Sequence, residues 1–515
     1  MAEPLSSHVS YDDLPYDGGC VASSHPSRMR AIGRLFGLHA PDPATARVLE
    51  IGCAGGSNLL PLAYALPGAT FTGIDLSARQ IELAQQRAEH LGLSNIDLKA
   101  MSVVDAGGLD GPFDYIICHG VYSWVPDPVR DAILETIRAK LSPNGIGFIS
   151  YNALPGWHFR KGVRDMMVYH GRYFPTVEER AQQARALVDF VAEASGTLAA
   201  EIPGLVVPNQ AVSAVRDVIS RYPDYYVVHE FLESDNRAFY LYEFADQVEE
   251  HGLQYLGDAT FASMVSGNLP PEVAETLERI SVTAVALEQY RDFLVNRTFK
   301  HSLVCSKDIE LQRTIEPEVA RGLTYRIAHS PGTPGETADS AFGADGRLTT
   351  LANALGQGIV SALRAAYPGT LGFAELKNIA GAVEGDETER VLLNLLAHEI
   401  VEVSDGPLGP PALQSTNLTA WLPARIFGAD MASIPTRFHQ SLGINSAGRA
   451  LLALLDGSRT EQQVLDEAYG MLSGPEMSFE TNDGTYEGPD LPRDLADDIV
   501  LTLLSDLKTH GALSS

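Results

Sequence analysis

A glycine-containing loop and a later aspartate carry the residue types and spacing in this sequence that indicate chemistry. The loop follows the apolar segment Val48–Ile51 and contains Gly52 and Gly56, and Asp75 ends the next apolar segment. A strand that breaks at glycines and resumes as a helix presents backbone N–H groups and a helix N-terminus to a ligand. A carboxylate at the end of the following strand can accept hydrogen bonds from ribose hydroxyls. The pattern therefore predicts a nucleoside-binding site.

Glu50 indicates which nucleoside derivative this site takes. The dinucleotide fingerprint needs Gly-x-Gly-x-x-Gly so that a pyrophosphate can approach the helix, whereas here an acidic residue, Glu50, stands just before Gly52. Its carboxylate would repel a pyrophosphate and attract a ligand that carries an ammonium and a sulfonium group. A glycine turn in an unrelated α/β protein is the alternative interpretation.

The loop resembles motif I of the class I methyltransferases that use S-adenosylmethionine (SAM), and Asp75 matches the acidic residue after their second strand. Ala54 stands where the family usually has a middle glycine, and Ser102 stands where it usually has an acidic contact to adenine. The resemblance implies that SAM is the cofactor. The residues it implies as cofactor contacts are Tyr16, Glu50, Gly52, Cys53, Ala54, Gly56, Asn58, Asp75, Leu76, Gln80, Ser102, Val103, His119 and Gly120.

The elements around the loop must form a sheet that positions it. Residues 46–152 alternate between short apolar segments and segments with helical periodicity, which predicts a parallel, doubly wound α/β sheet of the Rossmann type. In such sheets ligands bind at the carboxyl ends of the strands. The predicted strands are Val48–Ile51, Phe71–Asp75, Asn95–Met101, Phe113–Cys118 and Ile146–Ser150, and Ser77 is the predicted cap of the helix after the second strand.

The residues after the fourth and fifth strands are where we expect the methyl acceptor. His119 could accept a proton from an amine, which must be uncharged to attack a sulfonium carbon, or it could hold the loop by hydrogen bonds. Tyr122 and Trp124, with Tyr151 and Trp157, could surround a cationic amine, or they could simply pack beneath the loop. The predicted catalytic residues are His119, Tyr122, Trp124 and Asn152.

Composition excludes several function classes. The chain has 515 residues, too many for one core, and a net charge of −29 from 66 acidic and 37 basic residues, which argues against a nucleic-acid partner. Its four cysteines lack the spacing of a zinc site or a disulfide framework, so no metal is predicted. The sequence shows neither a signal peptide nor an apolar run long enough to span a membrane, which predicts a cytoplasmic protein without membrane insertion.

A second resemblance concerns the whole chain. Several motifs occur in the same order in a bacterial group that fuses a methyltransferase domain to a methyltransferase regulatory domain and includes rickettsial protein-lysine methyltransferases. These motifs are Tyr11–Tyr16, His25–Pro26, the Glu50 loop, His119–Trp124, His229–Glu230 and Gln289–Lys300. Towards the C-terminus, the similar segments Leu393–Ala397 and Leu501–Ser505 each lie in a helix-helix-strand pattern, which favours winged-helix-like units that contact protein.

The sequence thus predicts an N-terminal lid segment (1–45), a methyltransferase domain (46–205), a mainly helical regulatory domain (206–306) and a winged-helix-like region (307–515). The predicted function is methyl transfer from SAM to a lysine amine of a protein. The alternatives are a small-molecule N- or O-methyltransferase and a SAM-binding adaptor without catalysis. If the C-terminal half recruits the substrate, truncation near Ser306 should leave SAM affinity intact. The oligomeric state is left open.

Overall fold

The computed structural model of the chain describes residues 18–233, 235–380, 385–406, 408, 417–481 and 484–513. The predicted lid motif Tyr11–Tyr16, and with it the predicted cofactor contact Tyr16, lies outside the described residues. Within the described residues no helix is long and apolar enough to cross a membrane.

The central element is a mixed sheet. Among the described residues, seven strands pair in the order β3-β2-β1-β4-β5-β7-β6. The first five strands are parallel, as predicted, whereas β7 runs antiparallel to both β5 and β6. The strands are β1 (Arg47–Ile51), β2 (Thr70–Asp75), β3 (Ile96–Ala100), β4 (Phe113–Cys118), β5 (Leu141–Asn152), β6 (Leu253–Asp258) and β7 (Phe299–Ser306). The parallel arrangement predicted for residues 46–152 is therefore confirmed, and β6 and β7, which lie beyond that range, make the whole sheet mixed.

Helices cover both faces of this sheet. They are α1 (Pro26–Leu35), α2 (Leu59–Ala65), α3 (Ala78–His90) and α4 (Asp127–Lys140). In β1, Val48 packs into the core that contains α1, while Leu49 packs into the core that contains α4. Successive strand residues point to opposite faces, so burial of both neighbours explains the continuous apolar run in the sequence. His25 caps α1, because its Nδ1 accepts a hydrogen bond from the backbone N–H of Ser27.

A helical segment follows β5, and its first four helices share a core of their own, whereas the fifth packs into the core of the sheet. It contains α5 (Trp157–Gly171), α6 (Val177–Ala199), α7 (Val206–Ile219), α8 (Asp224–Val227) and α9 (Leu241–Glu250). The long polar-faced helix predicted at Glu178–Ala199 is α6, and a capping box of Thr176 and Glu179 begins it.

The segment predicted as a separate regulatory domain supplies the last part of the sheet. Helices α10 (Pro271–Ile280) and α11 (Ala284–Leu294) connect β6 to β7, so strands from both sides of the predicted boundary at 205/206 lie in one sheet. Lys300 on β7 is fully buried, and its Nζ lies 3.3 Å from Glu288 and 3.2 Å from Asp292 on α11 and 3.5 Å from Asp258 on β6. These ion pairs bind α11 to the sheet.

The remaining chain forms two further units. The first contains β8 (Thr324–Ile327), β9 (Ser340–Phe342), β10 (Leu348–Thr350), α12 (Ala354–Ala366), β11 (Leu371–Gly372), α13 (Phe373–Ala380), α14 (Glu387–Ala397) and β12 (Val401–Ser404). The second contains α15 (Leu422–Gly428), β13 (Ser433–Pro435), β14 (Ser441–Gly443), α16 (Ser446–Leu454), α17 (Glu461–Leu472), β15 (Ser478–Thr481), β16 (Gly484–Glu487) and α18 (Arg493–Thr509). The first unit shares its core with α1, whereas the second, the C-terminal winged helix, has its own core.

Candidate functional site

The loop after β1 turns sharply at three left-handed residues. Gly52, Ala54 and Gly56 have φ angles of 76°, 44° and 79°. A Cβ at Gly52 would lie 2.4 Å from a methyl group of Val121, so glycine is required there for space as well as for backbone conformation. The backbone N–H groups of Gly52 and Cys53 donate to the Ile74 carbonyl, which holds the start of the loop against β2.

Asp75 connects this loop to the start of α3. Its Oδ2 accepts a hydrogen bond of 2.9 Å from the Ala54 N–H, and its Oδ1 accepts one of 2.9 Å from the Ser77 N–H. Ser77 in turn caps α3 by accepting from the Gln80 N–H. Asp75 therefore fixes the loop and the helix start together, a structural contribution in addition to the ribose contact that the sequence predicts.

Glu50 presents a buried carboxylate oxygen towards the loop. Its side chain is 3% exposed, and Oε1 accepts a hydrogen bond of 2.8 Å from Asn58 Nδ2. Among the described residues, Oε2 has no hydrogen-bonding partner although it is buried. Burial raises the pKa of Glu50 to about 7, against the lowering effect of the Asn58 hydrogen bond, and the nearby Asp75 raises it further. Because a buried acceptor without a partner is costly, this oxygen fits a cationic ligand group such as the ammonium of SAM.

Two apolar side chains stand exposed at the rim beyond β2 and β3. Leu76 is 80% exposed and Val104 is 61% exposed. Ser102 caps the short turn after β3 by accepting a hydrogen bond from the Val104 N–H, while Val103 and Gln80 are buried. Apolar side chains on either side of a loop fit the faces of an adenine ring. Val104 is not among the contacts that the sequence predicts.

A second group of side chains meets where β4, β5 and β7 come together. The ring centroid of His119 lies 5.8 Å from that of His301 and 6.2 Å from that of Phe299. Ser150 pairs with His301 and Asn152 with Phe299, so these side chains share one face of the sheet. The Gly120 N–H donates to Ser150 Oγ, which fixes the turn after β4.

Two buried polar atoms in this group lack partners among the described residues: His119 Nδ1 and Asn152 Nδ2. Burial lowers the pKa of His119 to about 3 and that of His301 to about 4, so both imidazoles are neutral at neutral pH. His301 was missed by sequence reasoning, since only the antiparallel insertion of β7 brings it beside His119. The arrangement offers an uncharged polar surface next to the cofactor loop.

The predicted aromatic cage is not assembled. Tyr122 is fully buried, packs against Tyr151, Phe239 and Phe244, and donates a hydrogen bond of 2.8 Å to Gln247 Oε1. Trp124 instead meets Trp157 edge to face at 6.4 Å. The prediction that Tyr122 contacts the acceptor is corrected, because its side chain has no exposed surface in this structure.

Comparison with known proteins agrees with this geometry. Residues 49–146 match the family described as a methyltransferase domain, residues 223–306 a predicted methyltransferase regulatory domain, and residues 419–512 the C-terminal winged helix domain of PKMT. The structure of PKMT2 from Rickettsia typhi in complex with AdoHcy has a TM-score of 0.81 to this chain at 28% identity, covering 97% of this chain and 100% of that one.

Two uncharacterised proteins of Rickettsia prowazekii (strain Madrid E) are also similar. One is 38% identical over 248 residues, which is 48% of this chain and 97% of that protein. The other is 40% identical over 314 residues, which is 60% of this chain but only 55% of that protein, so the match spans about half of its length.

The fold and the loop define a class I methyltransferase that uses SAM. The chain belongs to the family of these enzymes that carries a methyltransferase regulatory domain and a PKMT-type winged helix domain.

Proposed function

We propose that this enzyme transfers the methyl group of SAM to a lysine amine of a protein. The observation that carries the proposal is that two polar surfaces lie at the ends of neighbouring strands. One holds the Glu50 carboxylate oxygen that has no partner among the described residues, and the other is the uncharged group around His119. The likeness to PKMT2 of Rickettsia typhi, which extends through the winged helix, supports a protein as the acceptor.

On the cofactor side, we assign Glu50 Oε2 to the ammonium group of SAM and the rim residues Leu76 and Val104 to its adenine. Asp75 keeps the loop in its left-handed conformation and lies at the strand end where a ribose would be bound. Bound SAM supplies an electrophilic methyl group on a sulfonium centre. The residues of this chain orient the reactants and exclude water, since positioning provides most of the rate in such a transfer.

On the acceptor side, the amine must be uncharged to use its lone pair. An amine that enters this partly buried, uncharged surface loses part of the solvation that favours its ammonium form, so the pKa of the amine falls. His119 and His301 add no positive charge there, because burial keeps both rings neutral. His119 Nδ1, which has no partner among the described residues, can accept a hydrogen bond from the amine N–H and orient its lone pair.

The test is incubation of the enzyme with methyl-labelled SAM and a bacterial lysate separated into protein and small-molecule fractions. We expect label in the protein fraction, recovered after hydrolysis as methylated lysine, and much less label with the Glu50→Gln variant when the SAM concentration is below saturation. Label confined to small molecules would contradict the proposal and favour a biosynthetic methyltransferase. SAM binding without any labelling would favour the non-catalytic adaptor.

Asp75 gives a prediction that separates its two contributions. Asp75→Ala is expected to weaken SAM binding roughly ten- to a hundredfold, since hydrogen bonds to a charged group are lost. It should also lower stability by about 0.5–2 kcal/mol, because the carboxylate holds the Ala54 and Ser77 N–H groups. Asp75→Asn should do less harm on both counts, as an amide keeps one acceptor oxygen. Calorimetric dissociation constants and melting temperatures measure the two effects.

Ser77→Ala is the matched control, because it removes the cap on the Gln80 N–H and leaves the Asp75 carboxylate in place. It should lower the melting temperature without changing SAM affinity. If Asp75→Ala behaved like Ser77→Ala, the ribose assignment would be wrong and Asp75 would be a capping residue alone.

A further inference from the structure

The C-terminal winged helix contacts the cofactor loop through side chains far away in sequence. His439 Nε2 lies 2.8 Å from Asn58 Oδ1. Arg87 donates to the Gly55 carbonyl at 2.9 Å and pairs with Asp430 of the winged helix at 2.8 Å. The loop that we assign to SAM is therefore held at two points by the winged helix, for which the sequence predicts only protein contact.

Asn58 is the junction of these contacts. Its Nδ2 donates to Glu50 Oε1, so the amide orientation is fixed and Oδ1 must face the other way. There Oδ1 accepts from the Val21 N–H at 2.9 Å and from His439. Since Oδ1 is only an acceptor, His439 carries its proton on Nε2. A continuous chain of hydrogen bonds thus runs from the winged helix through Asn58 to Glu50.

The conformation of His439 also points to a constrained position. The residue is 3% exposed and has a φ angle of 55°, the left-handed region that residues with a Cβ rarely adopt. Its ring meets that of His25 edge to face at 5.6 Å, and its backbone N–H donates to Thr436. The turn that joins β13 to β14 accounts for this conformation, since the Thr436 N–H donates to the Gln440 carbonyl and closes the hairpin around His439.

We infer that His439 is a positioning residue of the cofactor site: through Asn58 it fixes the Glu50 carboxylate so that Oε2 faces the ammonium group of SAM. The inference rests on the proposed role of Glu50. It makes the winged helix a part of the cofactor site. The expectation that truncation near Ser306 leaves SAM affinity intact is therefore replaced, because truncation removes both His439 and Asp430.

The contact between His439 and Asn58 couples docking of the winged helix to SAM binding. If docking of the winged helix raises SAM affinity, SAM binding must tighten the docking by the same factor. A protein partner that pulled the winged helix away from the loop would weaken SAM binding, and one that held it in place would strengthen binding.

The test compares two ligands, SAM and 5′-methylthioadenosine, which has the nucleoside but no ammonium group. Calorimetry on the full chain should show that His439→Leu weakens SAM binding about five- to twentyfold, as expected for the loss of one buried hydrogen bond and its orienting effect. Affinity for 5′-methylthioadenosine should stay unchanged. His439→Gln, whose amide N–H can replace the imidazole donor, should restore most of the SAM affinity.

Two further variants separate the possible failures. Thr460→Ala removes the local cap of α17 and leaves the contacts of His439 and Asp430 with the loop in place, so it should lower the melting temperature and change neither affinity. Glu50→Gln should weaken SAM but not 5′-methylthioadenosine; if it did not, the proposed role of Glu50 would fail. If Glu50→Gln discriminated between the ligands but His439→Leu did not, only the inference about His439 would be overturned.

Discussion

Replacement of Glu50 by glutamine is expected to weaken SAM binding about 30- to 300-fold, because one partner of a buried charge pair loses its charge. Glutamine keeps the volume and can still accept the Asn58 hydrogen bond, so the loop should be retained. The unliganded variant should be no less stable than the wild type at pH 8, since burial disfavours the carboxylate. Calorimetry with SAM and with its demethylated product, both of which carry the ammonium group, measures the effect.

The pH dependence of binding follows from the same carboxylate. In the unliganded protein burial raises the pKa of Glu50 to about 7, and a bound cation stabilises the ionised form and lowers that pKa. Wild-type affinity for SAM should therefore be highest above pH 7 and fall as the pH drops below it, approaching tenfold per pH unit. Glu50→Gln should show a flat profile over the same range.

Glu89→Gln provides the control, because Glu89 is an exposed glutamate on α3. It should bind SAM like the wild type at every pH. An unchanged affinity in Glu50→Gln, or a persistent pH dependence in that variant, would contradict the assignment of the ammonium site.

We expect the replacement of Lys300 by methionine to lower the free energy of unfolding more than any other variant proposed for this protein. Lys300 is fully buried between Glu288, Asp292 and Asp258. Burial alone would lower its pKa, but the three carboxylates raise it well above the usual range, which keeps the cation in place. Removal of one partner from a buried ion-pair group costs about 3–5 kcal/mol, because uncompensated charge remains inside. Thermal and urea unfolding of the full chain measure this loss of stability.

Lys307→Met is the matched control, since Lys307 pairs with Glu249 at the surface with side chains 52% and 62% exposed. An exposed pair of this kind contributes about 0–1 kcal/mol. The double variant Lys300→Met/Asp292→Asn should recover part of the stability by removing one buried carboxylate. Equal melting temperatures for Lys300→Met and Lys307→Met would show that the buried group is not what holds α11 on the sheet.

The short-range features of the cofactor site follow from the sequence because their causes are local. The apolar run of β1, the glycines at positive φ and the Ser77 cap of α3 lie within a few residues of the groups they organise. The SAM class and the Rossmann-like sheet could be predicted on this basis. The helices α1 to α4 could be predicted for the same reason, since their periodicity and their capping residues lie close together in the sequence.

The acceptor surface could not be predicted in the same way. His301 joins His119 only because β7 enters the sheet antiparallel between β5 and β6. Tyr122 is an aromatic residue on a promising loop, yet it is buried because α9 and the strand ends close around it. The spacing of residues in the sequence does not indicate which strand from a distant part of the chain will pack against a given loop residue.

The sequence by itself determined the chemistry of the cofactor loop, since the carboxylate of Glu50, the glycine turn and Asp75 lie on two adjacent strands. Only the tertiary structure decided that residues 253–306 complete the same sheet and that His439 reaches Asn58 from the winged helix. Contacts of this kind depend on how separately folded segments pack against each other. That packing is set by burial of whole surfaces, which no local pattern of residues encodes.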